Sequence, residues 1–565
     1  MTESVADRMR LIERLLSRSV VDPRHNVPMP GGKPRRPWSG ADVVAAWRRL
    51  EEELAAGLYR GHYYNLYVHL PFCPADCSFC MYDHQVSRDE ALARRYVDGL
   101  RRQIDGYGPL LERVSFQNLL IGGGTPTWLS EPLLAEVLDA VGQAFQFAPR
   151  AAKVIEANPG DVTASSARLL ADRGLNAVSI GVHSLEPNVL DAHGRGFQTV
   201  EQVETAIRHL RDADVAWVEC DLLVGLWGDS AAGVRQSAAQ LMAWSPDGLT
   251  LTKLRPRRSY LEQHYGGDSR RFGASLRERF TGLADPLATS CRDAGFEPGR
   301  LDADELTWKV RRIDARLPFD DRRRAIGHGG PTPSSTLGLG RFAHSKICGQ
   351  LLVEHRQAIP THALDESHYF GVEADRSYEA SRYICHHLVR HGAIDHRTYR
   401  DLFAADLHQD YPHVLRELEA LGELGWDGAL LRAKGPSERE RFVVSRVFMS
   451  RQSAVQELSM EDREVLQIHA GPHRFRVRVD HLRADRPAYF ATAGSVGLLL
   501  ESSTATGSAR ERVLLGALTA LLRRIARPRP WLAAIEVADW LAAELPRAVA
   551  SHLPVTVRVG GDGGD

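Results

Sequence analysis

From Leu66 onward the chain alternates between two kinds of hydrophobic spacing. Short β-branched or apolar runs occur at "LYVHL" (66–70), "LLIGG" (119–123), "KVIEAN" (153–158), "AVSIGVH" (177–183), "VECDLLVG" (218–225) and "LTLTKL" (249–254). Between them, apolar positions recur with the 3.6-residue period of an amphipathic helix over 89–107, 131–146, 164–173, 199–213 and 230–244. Strand, helix and strand at this spacing predict parallel βαβ units. Six in succession predict an α/β fold whose sheet curls into a full or partial (β/α) barrel; a flat doubly wound sheet is the rival.

The flanks read differently. Residues 1–60 form a helical, Arg-rich lead-in broken by the loop "HNVPMPGGKPRRPWSG". Residues 61–335 hold the barrel, although the pattern blurs after 255 into charged, irregular sequence. A Gly-rich turn, "STLGLGRFAHS", opens a domain over 336–450 whose residues from 375 on read as all-helical. Residues 451–565 change character again. "FRVRVDHL" and "VGLLLES" resemble strands, while "RERVLLGALTALLRRIA" and "WLAAIEVADWLAAEL" resemble helices, so an extra small α+β module is expected, ending in a disordered "GGDGGD" tail. This module could cover the barrel mouth, recognise a bulky substrate or dock a partner.

Charge narrows the functional classes. Lys and Arg number 71 against 72 Asp and Glu, so no basic excess marks a nucleic-acid surface. The N-terminal "MTESVADRMRLIERLL" is charged and amphipathic, without an apolar signal core, and no run reaches membrane-span length. Seven cysteines, an odd number without paired spacing, argue against a disulfide framework. The expectation is a soluble, cytoplasmic, monomeric protein with neither nucleic-acid nor membrane partners.

Three of the seven cysteines fall within eight positions, in "YVHLPFCPADCSFCMYDH": Cys73, Cys77 and Cys80, spaced C-x3-C-x2-C just after the first strand. Three thiolates on one loop can hold a 4Fe–4S cluster and leave one iron without a protein ligand. A zinc site normally wants four donors, and no second C-x2-C exists, though His69 and His84 are near enough in sequence to serve. Unligated thiols are the remaining reading.

The triad at the end of a first barrel strand resembles the signature of the radical S-adenosylmethionine (SAM) superfamily. "YVHLPFC" and the ordered motifs "GGGTPT" (122–127), "EANP" (156–159), "SIGVHSLEPNVLDAHGR" (179–195), "DLLVGLWG" (221–228) and "GLGRFAHS" (338–345) resemble its oxygen-independent coproporphyrinogen III oxidase subfamily over roughly 60–450. The resemblance implies a partial (β/α)6 barrel and a 4Fe–4S cluster on Cys73, Cys77 and Cys80. It also implies SAM chelated by the open iron, in two molecules where a second site is kept, a flavodoxin or ferredoxin reductant, and a small-molecule substrate.

In this register Phe79 matches an adenine contact; the plainer reading is a core Phe beneath the loop. Gly123, Gly124 and Thr125 match the site for the methionyl ammonium. Glu156 matches an acceptor for ribose hydroxyls or ammonium, Arg195 a carboxylate partner, and Asp221 a further acceptor; singly, each could be an ordinary ion-pair residue. Tyr67, on the same strand face as His69, matches a tyrosine that contacts SAM beside the cluster. His183, Leu254 and His344 match the second SAM site, the two histidines otherwise being satisfied loop residues.

The sequence also departs from the oxidases. They carry a fourth cysteine after the triad, where this chain has Met81 and Tyr82, and a glutamine where it has His183. These changes resemble the class C radical SAM methyltransferases and the related cyclopropanases, which implies methyl or methylene transfer to an sp2 carbon. His183, as an imidazole titrating near neutrality, is then the candidate for handling a proton, with Tyr67 beside it as the other candidate catalytic residue. True coproporphyrinogen oxidation is the runner-up, and a haem chaperone built on the same barrel stands behind it. The histidines of "CHHLVRHGAIDH" (385–396) read as a solvated helix face rather than haem ligands.

Overall fold

Six parallel strands follow one another in chain order. They are β1 (Tyr63–Leu70), β2 (Ser115–Gly123), β3 (Gln146–Ala157), β4 (Ala177–His183), β5 (Trp217–Val224) and β6 (Gly248–Lys253). Each pairs in parallel with the next. The computed structural model describes residues 4–18, 36–82, 84–299, 307–319, 333–355, 368–449, 463–470, 473–480, 490–493, 496–502, 513, 516–520 and 556–559.

The crossovers between strands are helices α1 (Glu90–Leu110), α2 (Glu131–Ala144), α3 (Ala164–Asp172), α4 (Val200–Asp212) and α5 (Ala231–Ala243). Their starts are written in the sequence. Asp89 accepts from the amides of Ala91 and Leu92, Thr163 and Thr199 form capping boxes with Ser166 and Gln202, and Ser230 accepts from Gly233. Strands flanked on both sides must be apolar along their length, and β4 and β5 bury Val178, Ile180, Val182, Val218, Cys220, Leu222 and Val224. The predicted strand and helix bounds agree with the observed ones to within a few residues, except that β3 begins seven residues before the predicted 153, and the expected α/β fold with a parallel sheet is what the chain adopts.

The sheet runs on beyond the six. Ser334–Leu339 lies parallel to β1 on its free edge. His344–Ile347, Leu351–His355, His368–Glu373 and Arg36–Ser39 follow in antiparallel order. On the other edge β6 pairs with Thr307–Arg312 and that strand with Phe296–Pro298. The domain expected over 336–450 therefore opens as strands, as far as 373, ahead of the helical part expected from 375, and the strands Ser334–Leu339 and Leu351–His355 are buried throughout. The strand Arg36–Ser39 likewise falls inside the expected loop.

The stretch after 255 is not irregular either. It forms the helices Arg258–Tyr265 and Ser269–Asp293, the second burying Phe272, Phe280, Leu283, Leu287 and Cys291. Residues 376–449 are mainly helical, as expected, but also hold a small sheet of Ala393–Asp395, Leu430–Ala433 and Leu424–Asp427. Further on, five antiparallel strands run in the order Phe490–Ala493, Val496–Ser502, His473–Asp480, Arg463–Ala470 and Thr556–Val559. Of the two helices expected there, residues 516–520 are helical; the one containing Trp531 and Trp540 and the terminal tail lie outside the described residues.

The chain divides into two compact units: residues 36–379 with 401–404, and residues 1–35, 380–400 and 405–565. The first holds all six parallel strands and every candidate site residue. Among the described residues, no helix is long and apolar enough to cross a membrane.

Candidate active site

The C-terminal end of a parallel sheet is where loops converge and where α/β sites form. Cys73, Cys77 and Cys80 lie on the loop that leaves β1. This loop is anchored to the turn after β2 by main-chain hydrogen bonds: the Gly124 amide donates to Leu70 and the Thr125 amide to Phe72, at 2.8 and 2.7 Å. Cα substitution is barred along this turn. A Cβ on Gly122 would stand 2.5 Å from the Glu156 carboxylate, one on Gly123 2.8 Å from the His69 ring, and one on Gly124 2.6 Å from the carbonyls of Pro71 and Phe72. Gly123 also adopts φ +117°, open to glycine alone at little strain. The amides of Gly123, Gly124 and Thr125 donate within the protein, and an ammonium ligand here would donate to carbonyl and carboxylate oxygens.

Glu156 is the carboxylate closest to the cradle. It ends β3 with one face accessible and accepts from the Gly123 amide at 3.3 Å. Burial raises its carboxyl to about 7, with only that amide opposing. Across the sheet, Asp221 on β5 accepts from the Ser179 hydroxyl of β4 at 2.5 Å. Tyr67 and His69 share a face of β1, the phenol 2.9 Å from Nδ1, and burial raises the Tyr67 phenol well above its usual range.

Arg195 is buried and closely held. Its Nε donates to Gln198 at 3.0 Å, Nη2 donates to Asn158 at 3.0 Å and to the Gly181 carbonyl at 2.5 Å, and Nη1 points at the Cys77 sulfur at 3.8 Å. Four of its five N–H groups are thus engaged, which leaves one for a ligand rather than a two-pronged clamp. The "EANP" motif supplied Asn158, but nothing in the sequence pointed to Gln198 as the partner that orients the guanidinium.

His183 stands at φ +63°, a left-handed conformation uncommon for a side chain of this size. Its ring meets Phe79 edge-on at 5.2 Å, and its Nδ1 has no hydrogen-bond partner. Burial first, and the Arg195 charge second, depress its pKa well below that of a free imidazole, so it is held neutral. Phe79 and Leu254 are both buried in one apolar cluster with Cys77, Leu226, Tyr260 and Phe272. The core role of Phe79 is therefore observed, with its edge turned to His183. His344 is exposed at the head of its strand, opposite Gly338, which in turn lies beside Tyr67.

The three sulfurs each have a side-chain neighbour: Cys73 the Thr125 hydroxyl at 3.5 Å, Cys77 Arg195, and Cys80 His84 at 3.9 Å. Burial pushes the Cys73 thiol up to about 11 and raises Cys77 as well, so both are protonated near neutrality in the ligand-free protein, and binding a cationic metal would draw the proton from each. Among the described residues, no three His, Cys, Asp or Glu side chains converge as ligands of a single ion. A cluster, in contrast, takes each thiolate on a different iron. The donor set, the glycine cradle and the unpartnered His183 nitrogen fit a cluster with an organic ligand beside it.

Comparison with known proteins agrees. Residues 67–239 match the Radical SAM superfamily. An oxygen-independent coproporphyrinogen III oxidase of Paracoccus denitrificans is 32% identical over 35% of this chain and 44% of its own length. One from Pseudomonas aeruginosa is 25% identical over 66% of this chain and 82% of its own. The haem chaperone HemW of Bacillus subtilis is 27% identical over 31% of this chain and 45% of its own. This chain thus spans less than half of the Paracoccus and Bacillus relatives. The solved coproporphyrinogen III oxidase of Escherichia coli shares the fold, with a TM-score of 0.55 at 19% identity, over 72% of this chain and 93% of that one.

Proposed function

From the radical SAM domain that the chain carries at residues 67–239, we propose an enzyme that takes a hydrogen atom from a small-molecule substrate in the manner of the oxygen-independent coproporphyrinogen III oxidases. When bound, the 4Fe–4S cluster and SAM supply the 5′-deoxyadenosyl radical. Cys73, Cys77 and Cys80 would hold the cluster, and Glu156, Asp221 and the turn Gly122–Thr125 would orient the nucleotide. A flavodoxin or ferredoxin is the reductant of this reading.

The observation that carries the proposal is the joining of the cysteine loop to the glycine turn, whose Gly123 amide in turn holds the Glu156 carboxyl, poised near neutrality. Glu156 can accept a hydrogen bond from a ligand when ionised and can release its proton as a cation arrives. Arg195 holds the loops after β3 and β4 against Cys77 and thereby excludes water from that sulfur.

The relatives named above favour oxidative decarboxylation over the methyl or methylene transfer expected from Met81, Tyr82 and His183. Transfer is retained as a second reading because of one feature. A neutral, buried imidazole with a free Nδ1 is suited to remove a proton from an adduct, and a glutamine in its place is not.

Anaerobic incubation of reconstituted protein with methyl-deuterated SAM and coproporphyrinogen III separates the readings by mass spectrometry. Loss of carboxyl groups together with 5′-deoxyadenosine supports the oxidase. Deuterium carried into a product carbon supports transfer. Haem binding without any SAM cleavage would replace both with the chaperone.

A further inference from the structure

The histidine four residues beyond the triad belongs to neither the nucleotide site nor the substrate reading. The His84 side chain is 7% exposed, although the Asp76 carboxylate that it meets is 69% exposed. Its Nε2 lies 3.1 Å from Asp76 Oδ1, and its Nδ1 lies 2.9 Å from the Tyr82 carbonyl and 3.9 Å from Cys80 Sγ. Asp76 stands between the first and second cysteines of the triad, while Tyr82 follows the third.

A carbonyl and a carboxylate oxygen only accept hydrogen bonds. Both ring nitrogens therefore face acceptors, and the Nδ1 side is shared between the Tyr82 carbonyl at 2.9 Å and the Cys80 sulfur at 3.9 Å. With both nitrogens so engaged, His84 is not a fourth ligand; its Nδ1 hydrogen is bifurcated, with the Tyr82 carbonyl as the nearer acceptor and the Cys80 sulfur as the more distant one. Hydrogen bonds to cluster sulfurs and charge beside them set the reduction potential of an iron–sulfur centre. A hydrogen bond donated to a ligand sulfur favours the reduced state, which carries one more negative charge.

We propose that His84, clamped between Asp76 and the Tyr82 carbonyl, tunes the cluster by donating to the Cys80 thiolate and raising its reduction potential. The inference rests on the cluster reading of the triad. Its test is a potentiometric titration followed by electron paramagnetic resonance, with iron and sulfide counted on the same full-length samples of the native protein, His84→Phe and His84→Gln.

The expected result is full iron content with a reduction equilibrium constant about tenfold less favourable in His84→Phe, or about 59 mV lower for a one-electron couple. His84→Gln, which keeps an N–H donor on a shorter and more flexible side chain, should fall between the two. An unchanged midpoint in His84→Phe overturns the inference. If that variant does not assemble a cluster, a native midpoint in His84→Gln does so instead. Nitrogen hyperfine coupling lost from the native spectrum on substitution would make His84 a ligand and overturn it as well. Failure of the native protein to assemble any cluster would instead sink the reading on which the inference stands.

Discussion

The guanidinium of Arg195 lies 3.8 Å from the sulfur of Cys77. It is anchored on Asn158 after β3, on the Gly181 carbonyl of β4 and on Gln198. One buried cation thereby ties two strand ends to the cysteine loop.

Replacing Arg195 with methionine leaves the Gly181 carbonyl, Asn158 and Gln198 without their donor. Each buried acceptor so stranded costs about 1–3 kcal/mol. We expect the ligand-free protein to lose on the order of 3 kcal/mol in urea unfolding. Arg195→Lys keeps a charge but not the fork, and should hold iron 10-fold or more weakly. A lysine variant with native stability and native iron retention against a chelator would contradict this account.

Gly123→Ala tests the cradle. Any Cβ there enters the His69 ring, and φ +117° adds backbone strain. The expected loss is about 2–4 kcal/mol, read as a lowered midpoint of denaturation, whereas Gly142→Ala on α2, where nothing lies within 4 Å, should be neutral or mildly stabilising. Equal midpoints for the two variants would show that the turn yields freely.

Glu156 makes stability depend on pH in a defined window. Its carboxyl titrates at about 7 when folded against an ordinary value of 4.5. Between those values the folded chain holds a proton that the unfolded chain has released. Stability therefore falls as pH rises from about 4.5 to 7 and is flat above, by at most about 3 kcal/mol. Glu156→Gln should abolish the slope. SAM binding, which favours the ionised acid, should strengthen as pH rises through 7 in the native protein and not in the variant. Calorimetric titration from pH 6 to 8 reads this directly.

How much of this could be read from the sequence depended on how local the determinants are. The strands β1 to β6 are apolar runs because parallel strands between helices are buried on both faces, and their bounds were legible. The helix Ser269–Asp293 was not, because Pro286 and the Arg and Asp residues between its buried Phe272, Phe280, Leu283 and Leu287 obscure the period. Ser334–Leu339 read as a turn because Gly338 has a second cause: its missing Cβ lets the backbone of His344 pass. The cysteines and glycines of the site stood out by spacing. The links from Arg195 to Gln198 and from His84 to Asp76 did not, since each depends on how its own loop folds back, three and eight residues along, which spacing does not show.

His183 decides between two kinds of chemistry, and its backbone makes the experiment clean. A left-handed φ of +63° is tolerated by asparagine better than by most residues, so His183→Asn should keep the turn after β4 in place. If the imidazole removes a proton from a substrate adduct, the steps before it are untouched. Formation of 5′-deoxyadenosine should then stay within a few-fold of native, while product falls by about 100-fold or more, the usual scale of a lost general base. The neutral ring held by burial also predicts that product formed per 5′-deoxyadenosine stays constant in the native protein as pH falls from 8 to 6, since His183 stays unprotonated throughout, whereas the Glu156 effect on SAM binding lowers both together. If product and 5′-deoxyadenosine instead decline together in His183→Asn, the ring serves nucleotide binding and the proton must leave by another group. If neither changes, the unpartnered Nδ1 has no part in turnover and the transfer reading loses the feature that sets it apart.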